Sequence, residues 1–271
     1  MISVLCPVCG KPLETGPRAW RCPDGHSFDV ARQGYVNLLP VTQKHSRHPG
    51  DTRGQVAARR AFLDAGYYAP IAAAVCRLLE PEKPETALDA GCGEGYYLTR
   101  LMERMPLREA WGVDISKDAV RFASAKNKKA RWLAATAAHL PFPDGSFDAV
   151  LSMFALTAAE EFHRVLRPGG VFLQVLAGEE HLLGLKRLIY PELLRREKDL
   201  SPALPGFRLE RSETLEFSFR LEGGEQVANL LAMTPHFWRI SAEGAAAAAA
   251  ADSLEDGAQV VLNLYRAEET I

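Results

Sequence analysis

The chain has 271 residues, 47% of them hydrophobic, and a formal net charge of -2. That length suits one large domain with a small appendage, and such a composition excludes a fibrous or wholly disordered chain. Residues 1 to 20 show no charged stretch leading into an apolar one, and no run reaches the ~18 apolar residues of a membrane span, so no membrane contact is expected and the expected location is the cytoplasm.

The first pattern in chain order is a Cys-Pro-Val-Cys turn holding Cys6 and Cys9, answered by Cys22 and His26. Three thiolates and one imidazole make the tetrahedral set of a closed structural zinc site, with no open position for a reacting water. Disulfides are the alternative, but they need an oxidising compartment, and cytoplasmic thiols stay reduced. So small a segment has too few apolar residues for a core of its own, so Zn2+ is expected to supply much of its folding free energy. Residues 1–35 are therefore predicted to be a zinc-binding module resembling a zinc ribbon. Cys76 and Cys92 read as a helix core thiol and a loop residue.

Positive charge gathers at the front: residues 1–60 hold nine Lys/Arg against four Asp/Glu. From Arg32 to Arg60 come Lys44, Arg47, Arg53 and Arg59, with His45 and His48, around the HPGD stretch at residues 48–51. Charge alone leaves a solvated linker and a polyanion-binding segment equally open. Position between a metal module and a second domain favours RNA, and residues 36–70 are read as a basic linker, with the module in front as an RNA-recognition element.

Residues 71–271 alternate short apolar runs with helix-like stretches, the pattern of a Rossmann-like α/β domain with a parallel sheet covered on both faces. Strands are predicted at 86–90, 110–115, 130–135, 148–155 and 170–177, and a helix over Glu94 to Met105 with Leu98, Leu101, Met102 and Met105 on one face. RPGG at 167–170 should end a helix and turn into the fifth strand. Two later runs, 207–221 and 258–266, are expected to pair antiparallel, with a helical insert near 224–232. The seven alanines from Ala245 to Ala251 fit a plain surface helix, given alanine's helix propensity.

The run LDAGCGEG at 88–95 puts glycines between the first strand and a helix N-terminus, where backbone can approach a nucleotide-like ligand. Gly91, Gly93 and Gly95 do not follow the dinucleotide spacing, Asp89 precedes them, and Asp114 closes the second strand. S-adenosylmethionine fits better than a dinucleotide, because it has no pyrophosphate and carries an ammonium and a sulfonium. Asp89 would supply the facing negative charge, Asp114 would accept from the ribose hydroxyls, and Ile115 would pack on adenine. The run LPFPDGSFDAVLS at 140–152 resembles the lead into strand four of class I methyltransferases.

Taken in order, CPVCG, CPDGH, QGYVNLLP at 33–40, ARRAFLDAGYY at 58–68, LDAGCGEGYY and MTPHFW at 233–238 resemble the RlmA family of 23S ribosomal RNA guanine-N1 methyltransferases. The resemblance runs from the cysteine module almost to the C-terminus. It implies methyl transfer to N1 of a guanine in a 23S ribosomal RNA hairpin, and a homodimer. It also implies zinc ligation by Cys6, Cys9, Cys22 and His26, and cofactor contacts at Tyr68, at the Gly93 and Glu94 loop and at His181. The residues alone make Tyr68 a core aromatic and His181 an exposed histidine at a helix start. One departure stands out: after strand four the family carries aromatic-Ala-Pro, whereas here Phe154 and Ala155 are followed by Leu156 and Thr157.

Guanine N1 carries a proton at neutral pH and lies on the pairing edge, so the base must leave its pair and lose that proton. No residue is singled out as the base that takes it. Phe154, Phe237 and Trp238 are candidates for stacking on the extruded guanine, with a core role equally open for each. Two rival readings are a methyltransferase for quinone-type small molecules and a zinc-stabilised RNA-binding protein with a degenerate cofactor site.

Overall fold

In a computed structural model, which describes residues 1–43, 49–193 and 198–269, the N-terminal module is a small antiparallel sheet of β1 (Glu14–Thr15), β2 (Ala19–Arg21) and β3 (Ser27–Asp29). Lys44, His45, Arg47 and His48 of the basic stretch lie outside the described residues. Strands this short cannot sustain a fold by themselves. One face of the module is buried against the larger domain: Val4, Cys6, Leu13 and Cys22 share a core with Trp111 and Phe142, and Trp20 meets Trp111 edge-on at 6.5 Å. The Leu5 N–H donates to the Pro141 carbonyl at 2.8 Å.

Beyond the module the order is β4 (Val36–Asn37), α1 (Arg53–Asp64), α2 (Ala69–Leu79), β5 (Thr86–Ala90), α3 (Tyr96–Arg104), β6 (Glu109–Asp114), α4 (Lys117–Lys126), β7 (Arg131–Ala134) and β8 (Phe147–Met153). There follow α5 (Ala159–Val165), β9 (Leu166–Ala177), α6 (Leu183–Ile189), β10 (Phe207–Glu222), α7 (Gly223–Ala232), α8 (Ala242–Ala250) and β11 (Ser253–Ala267). The main sheet has eight strands in the order β10-β11-β9-β8-β5-β6-β7-β4, parallel except at β11 and β10. The predicted strands and the α3 helix recur with ends shifted by a few residues, where apolar patterning is weakest. The alanine run forms most of α8, burying only Gly244 and Ala248.

A sheet that is mostly parallel must be covered on both faces. Phe62, Ile71, Leu98 and Val120 from α1 to α4 cover one face. The connection from β7 to β8, residues 135–146, contains no helix. There the zinc module itself, with Phe142 and with Phe162 of α5, covers the other face.

The described parts of segment 36–70, expected as a basic linker, are built into this domain. Val36 and Leu38, each 1% exposed, flank the β4 pairing that sets Val36 beside Leu133 of β7. Helix α1 opens on a capping box, Thr52 with Gln55, and buries Val56, Phe62 and Leu63. A two-residue strand has no periodicity to detect, and charge describes only the exposed side of a helix.

Candidate functional site

The ligand atoms of Cys6, Cys9, Cys22 and His26 all lie within 4.8 Å of one another. Cys9 Sγ is 3.6 Å from Cys22 Sγ, and His26 Nδ1 is 3.2 Å from Cys22 Sγ and 3.6 Å from Cys6 Sγ. Ligands on a zinc tetrahedron sit about 3.5–3.8 Å apart, so the set fits the metal. Each knuckle turns on a glycine at positive φ, Gly10 at 72° and Gly25 at 85°. There the Gly10 N–H donates to the Cys6 carbonyl and the Gly25 N–H to the Cys22 carbonyl. A Lys11–Asp24 ion pair of 2.6 Å clips the two knuckles together.

The second site opens at the C-terminal ends of β5 and β6. Gly91 and Gly95 have φ of 91° and 81°; an added Cβ would come within 2.5 Å of Ala155 Cβ at the first and 2.4 Å of the Trp132 ring at the second. The loop is held from below by Asp114, whose carboxylate accepts the N–H groups of Gly93 at 2.9 Å and Ser116 at 2.7 Å. Each oxygen keeps a further lone pair, so a hydroxyl donor can be added. Asp89 is fully buried and neither of its oxygens has a hydrogen-bond partner. Burial, reinforced by Asp114 and Glu94, pushes its carboxyl up to about 8. Glu94 is buried too, has one unpartnered oxygen, and is likewise raised by burial. Buried carboxylates without partners are costly unless a cation arrives. An ammonium with a sulfonium is such a cation, so the donor set fits S-adenosylmethionine.

Tyr68, His181 and Phe154 form an aromatic wall. Tyr68 OH lies 3.1 Å from His181 Nε2, and both residues are buried. Burial, with Lys186 adding, lowers His181 to about 4, so it is neutral at pH 7 while its Nδ1 has no partner. Phe154, at φ 55°, sets its ring 5.8 Å from His181 and 6.1 Å from Tyr68. The expectation of an exposed His181 is overturned because residues 178–184 fold back on β11, where Asp256 accepts the N–H groups of Gly184 and Leu185 at 2.9 and 2.8 Å. Phe237 and Trp238 stand apart in a short 3-10 turn, 40% and 68% exposed, edge-on to each other.

Ile115 is half-buried beneath the 49–52 stretch: a Cβ on Gly50 would fall 2.9 Å from its Cγ2, and Ser116 Oγ donates to the Asp51 carbonyl at 2.7 Å. Arg59, which sequence reading counted only as linker charge, ion-pairs with Asp51, donates to the Met233 carbonyl at 3.3 Å and lies beside Gly93. No spacing signal marks it, since its partners come from three separate segments. Cys92, in the glycine loop, is buried against Gly112 with its thiol pushed well up, and Cys76 of α2 is half-buried. Among the described residues no single helix is long and apolar enough to cross a membrane.

A family model described as "RlmA, N-terminal" matches residues 4–47, and a methyltransferase-domain model matches residues 88–174. A 23S rRNA (guanine(748)-N(1))-methyltransferase of Streptomyces fradiae is 36% identical over 86% of this chain and 85% of that protein. A demethylmenaquinone methyltransferase of Geobacillus kaustophilus is 32% identical, over 43% of this chain and 55% of that protein. The solved structure of phosphoethanolamine N-methyltransferase 2 from Haemonchus contortus shares the fold at TM-score 0.50 and 15% identity, covering 80% of this chain and 58% of its own.

Proposed function

Because the chain belongs to the RlmA family of 23S ribosomal RNA guanine-N1 methyltransferases, we propose that it methylates N1 of one guanine in a hairpin of 23S ribosomal RNA, using S-adenosylmethionine and a structural zinc ion. The observation that carries this reading is the Cys6, Cys9, Cys22 and His26 cluster joined to a methyltransferase glycine loop with an unpartnered buried Asp89 beside it. A small-molecule methyltransferase needs no such metal module, and the likeness to the menaquinone enzyme stops at 43% of the chain.

Bound S-adenosylmethionine supplies the electrophilic methyl group. In this reading Asp89 and Glu94 face its positive charges, Asp114 accepts from the ribose, Ile115 packs on adenine, and Gly91 and Gly93 let the backbone come close. Tyr68 and His181 wall the methionine end. Phe154, the exposed member of that wall, is the stacking surface for the extruded guanine, with N1 aligned behind the transferring methyl. Holding nucleophile and methyl in line would supply much of the rate; the methyl–sulfur bond would break as the N1–methyl bond forms, leaving S-adenosylhomocysteine, and the N1 proton would pass to water. The zinc module and the basic segment behind it contact the RNA backbone. A homodimer in the cytoplasm completes the proposal and is checked by sedimentation.

The direct test is zinc-loaded protein, labelled S-adenosylmethionine and unmodified 23S ribosomal RNA, read by primer extension. A single stop at a hairpin guanine is expected. No label in RNA, with cofactor binding intact by calorimetry, overturns the assignment.

A further inference from the structure

A row of polar side chains crosses four neighbouring strands, from the buried interior of β8, β9 and β11 to the exposed Ser212 on β10. Ser152 on β8 pairs in register with Gln174 on β9, Gln174 with Asn263 on β11, and Asn263 with Ser212 on β10. Ser152, Gln174 and Asn263 are at most 2% exposed, among Val150, Phe172 and Tyr265. Apolar residues would fill these positions without the desolvation penalty that a buried amide carries. The row is fully hydrogen-bonded instead, the condition under which a buried polar network rigidifies what it holds.

What it holds are two loops. Ser152 Oγ donates to the Leu156 carbonyl at 3.4 Å, and Gln174 Nε2 donates to Thr157 Oγ1 at 2.7 Å. The Gln174 amide oxygen accepts from Asn263 Nδ2 at 3.2 Å, and the same Nδ2 donates to the Leu200 carbonyl at 2.7 Å. Asn263 Oδ1 accepts from Ser212 at 2.7 Å and Ser201 at 3.2 Å, and Tyr265 OH donates to the Pro202 carbonyl at 2.8 Å. Loop 154–157 leaves β8 where the strand order reverses beside β5, the crevice in which such sheets bind ligands. It presses Ala155 on Gly91 and Phe154 on the Tyr68–His181 pair, and no proline stiffens it. Its conformation is therefore imposed from the sheet side.

We propose that Gln174 and Asn263, acting through Thr157, are positioning residues that set the loop carrying Phe154 against the target guanine and tie it to the 198–202 loop. The proposal rests on the methyltransferase reading above for its effect on catalysis, but not for the coupling of the two loops.

The test compares Thr157→Val and Gln174→Leu, which keep shape and remove the hydrogen bond, with Thr157→Ser, which restores a hydroxyl. Turnover on unmodified 23S ribosomal RNA should fall at least tenfold in Thr157→Val and Gln174→Leu, with KM for S-adenosylmethionine within twofold and zinc content unchanged. Thr157→Ser should recover most of it. Hydrogen exchange in Gln174→Leu should speed up in both 154–157 and 198–202. If Gln174→Leu does not fold, Thr157→Val, at a half-buried loop position, carries the turnover comparison. Unchanged turnover and unchanged exchange, or equal losses in the Val and Ser variants, overturn the proposal. Wild-type protein that leaves ribosomal RNA unlabelled overturns the methyltransferase assignment instead, and the exchange data still decide whether the row couples the loops.

Discussion

The metal cluster and the cofactor pocket are built on opposite plans. All four side chains proposed to hold zinc fall between Cys6 and His26, and two glycine turns aim them. The pocket proposed for the cofactor draws on Arg59, Tyr68, Asp89, Asp114, Phe154 and His181, brought together only when the strands pair in register. A site made from one short stretch is written in spacing. A site made across a sheet is written in topology, and only its glycine loop shows in a single stretch of sequence.

Five experiments test how separable the two regions are, beginning with the largest expected effect. Zinc chelation, or Cys22→Ser, should unfold residues 1–35 and abolish ribosomal RNA methylation, while calorimetry finds S-adenosylmethionine affinity changed by less than about threefold. A collapse of cofactor binding would mean that the Trp20–Trp111 packing makes the two regions one unit. Asp89→Asn should do the reverse: zinc content intact, and cofactor affinity down about 100-fold, as expected when one partner of a buried charge pair is neutralised.

Asp89 also gives the pocket a pH signature. Its folded value of about 8 lies above the ~3.9 of an unfolded carboxyl. The folded, cofactor-free protein therefore holds a proton that the unfolded chain has released, and this group's contribution to stability declines as pH rises from about 4 to 8. Binding of S-adenosylmethionine at pH 7 should release that proton, read as a calorimetric heat that varies with buffer ionisation enthalpy; Asp89→Asn should remove the dependence. A buffer-independent heat in the wild type would show that Asp89 is already ionised.

Asp114→Ala should weaken cofactor binding about tenfold, because it frees the Gly93 and Ser116 N–H groups besides removing a ribose acceptor. Unchanged affinity would remove the ribose role. Smallest is Trp238→Ala, at an exposed side chain apart from the Phe154 wall: KM for RNA should rise no more than about fivefold, the low end for one aromatic contact to a base, with zinc and cofactor binding left alone.

The same contrast explains what was legible in advance. Cysteine spacing picked out the four side chains that cluster, apolar alternation located the parallel strands, and the glycine run with Asp89 picked out the loop proposed to meet the cofactor. Arg59 was missed because nothing in a helix of ordinary polarity marks one arginine among three. The Gln174–Asn263 row was missed because each residue is a single polar interruption in an apolar run, and their partnership exists only across strands far apart in the chain. Tyr68 and His181 came from family resemblance; physics alone could not foresee that Asp256 would fold the His181 segment inward.

The parallel pairing of β4 with β7 carries a temporal consequence. Val36 is synthesised almost a hundred residues before its neighbour Leu133, and Trp20 likewise waits for Trp111. During translation at about 5–20 residues per second, the metal module spends seconds emerged from the ribosome with its apolar docking face uncovered. Early metal capture would protect the nascent chain in that interval, since a knuckle already closed on its ion presents a fixed surface for the later strands to meet, whereas a metal-starved one presents loose thiols and unpaired backbone. Zinc supply would then govern the yield of correctly assembled chains as well as the stability of finished ones.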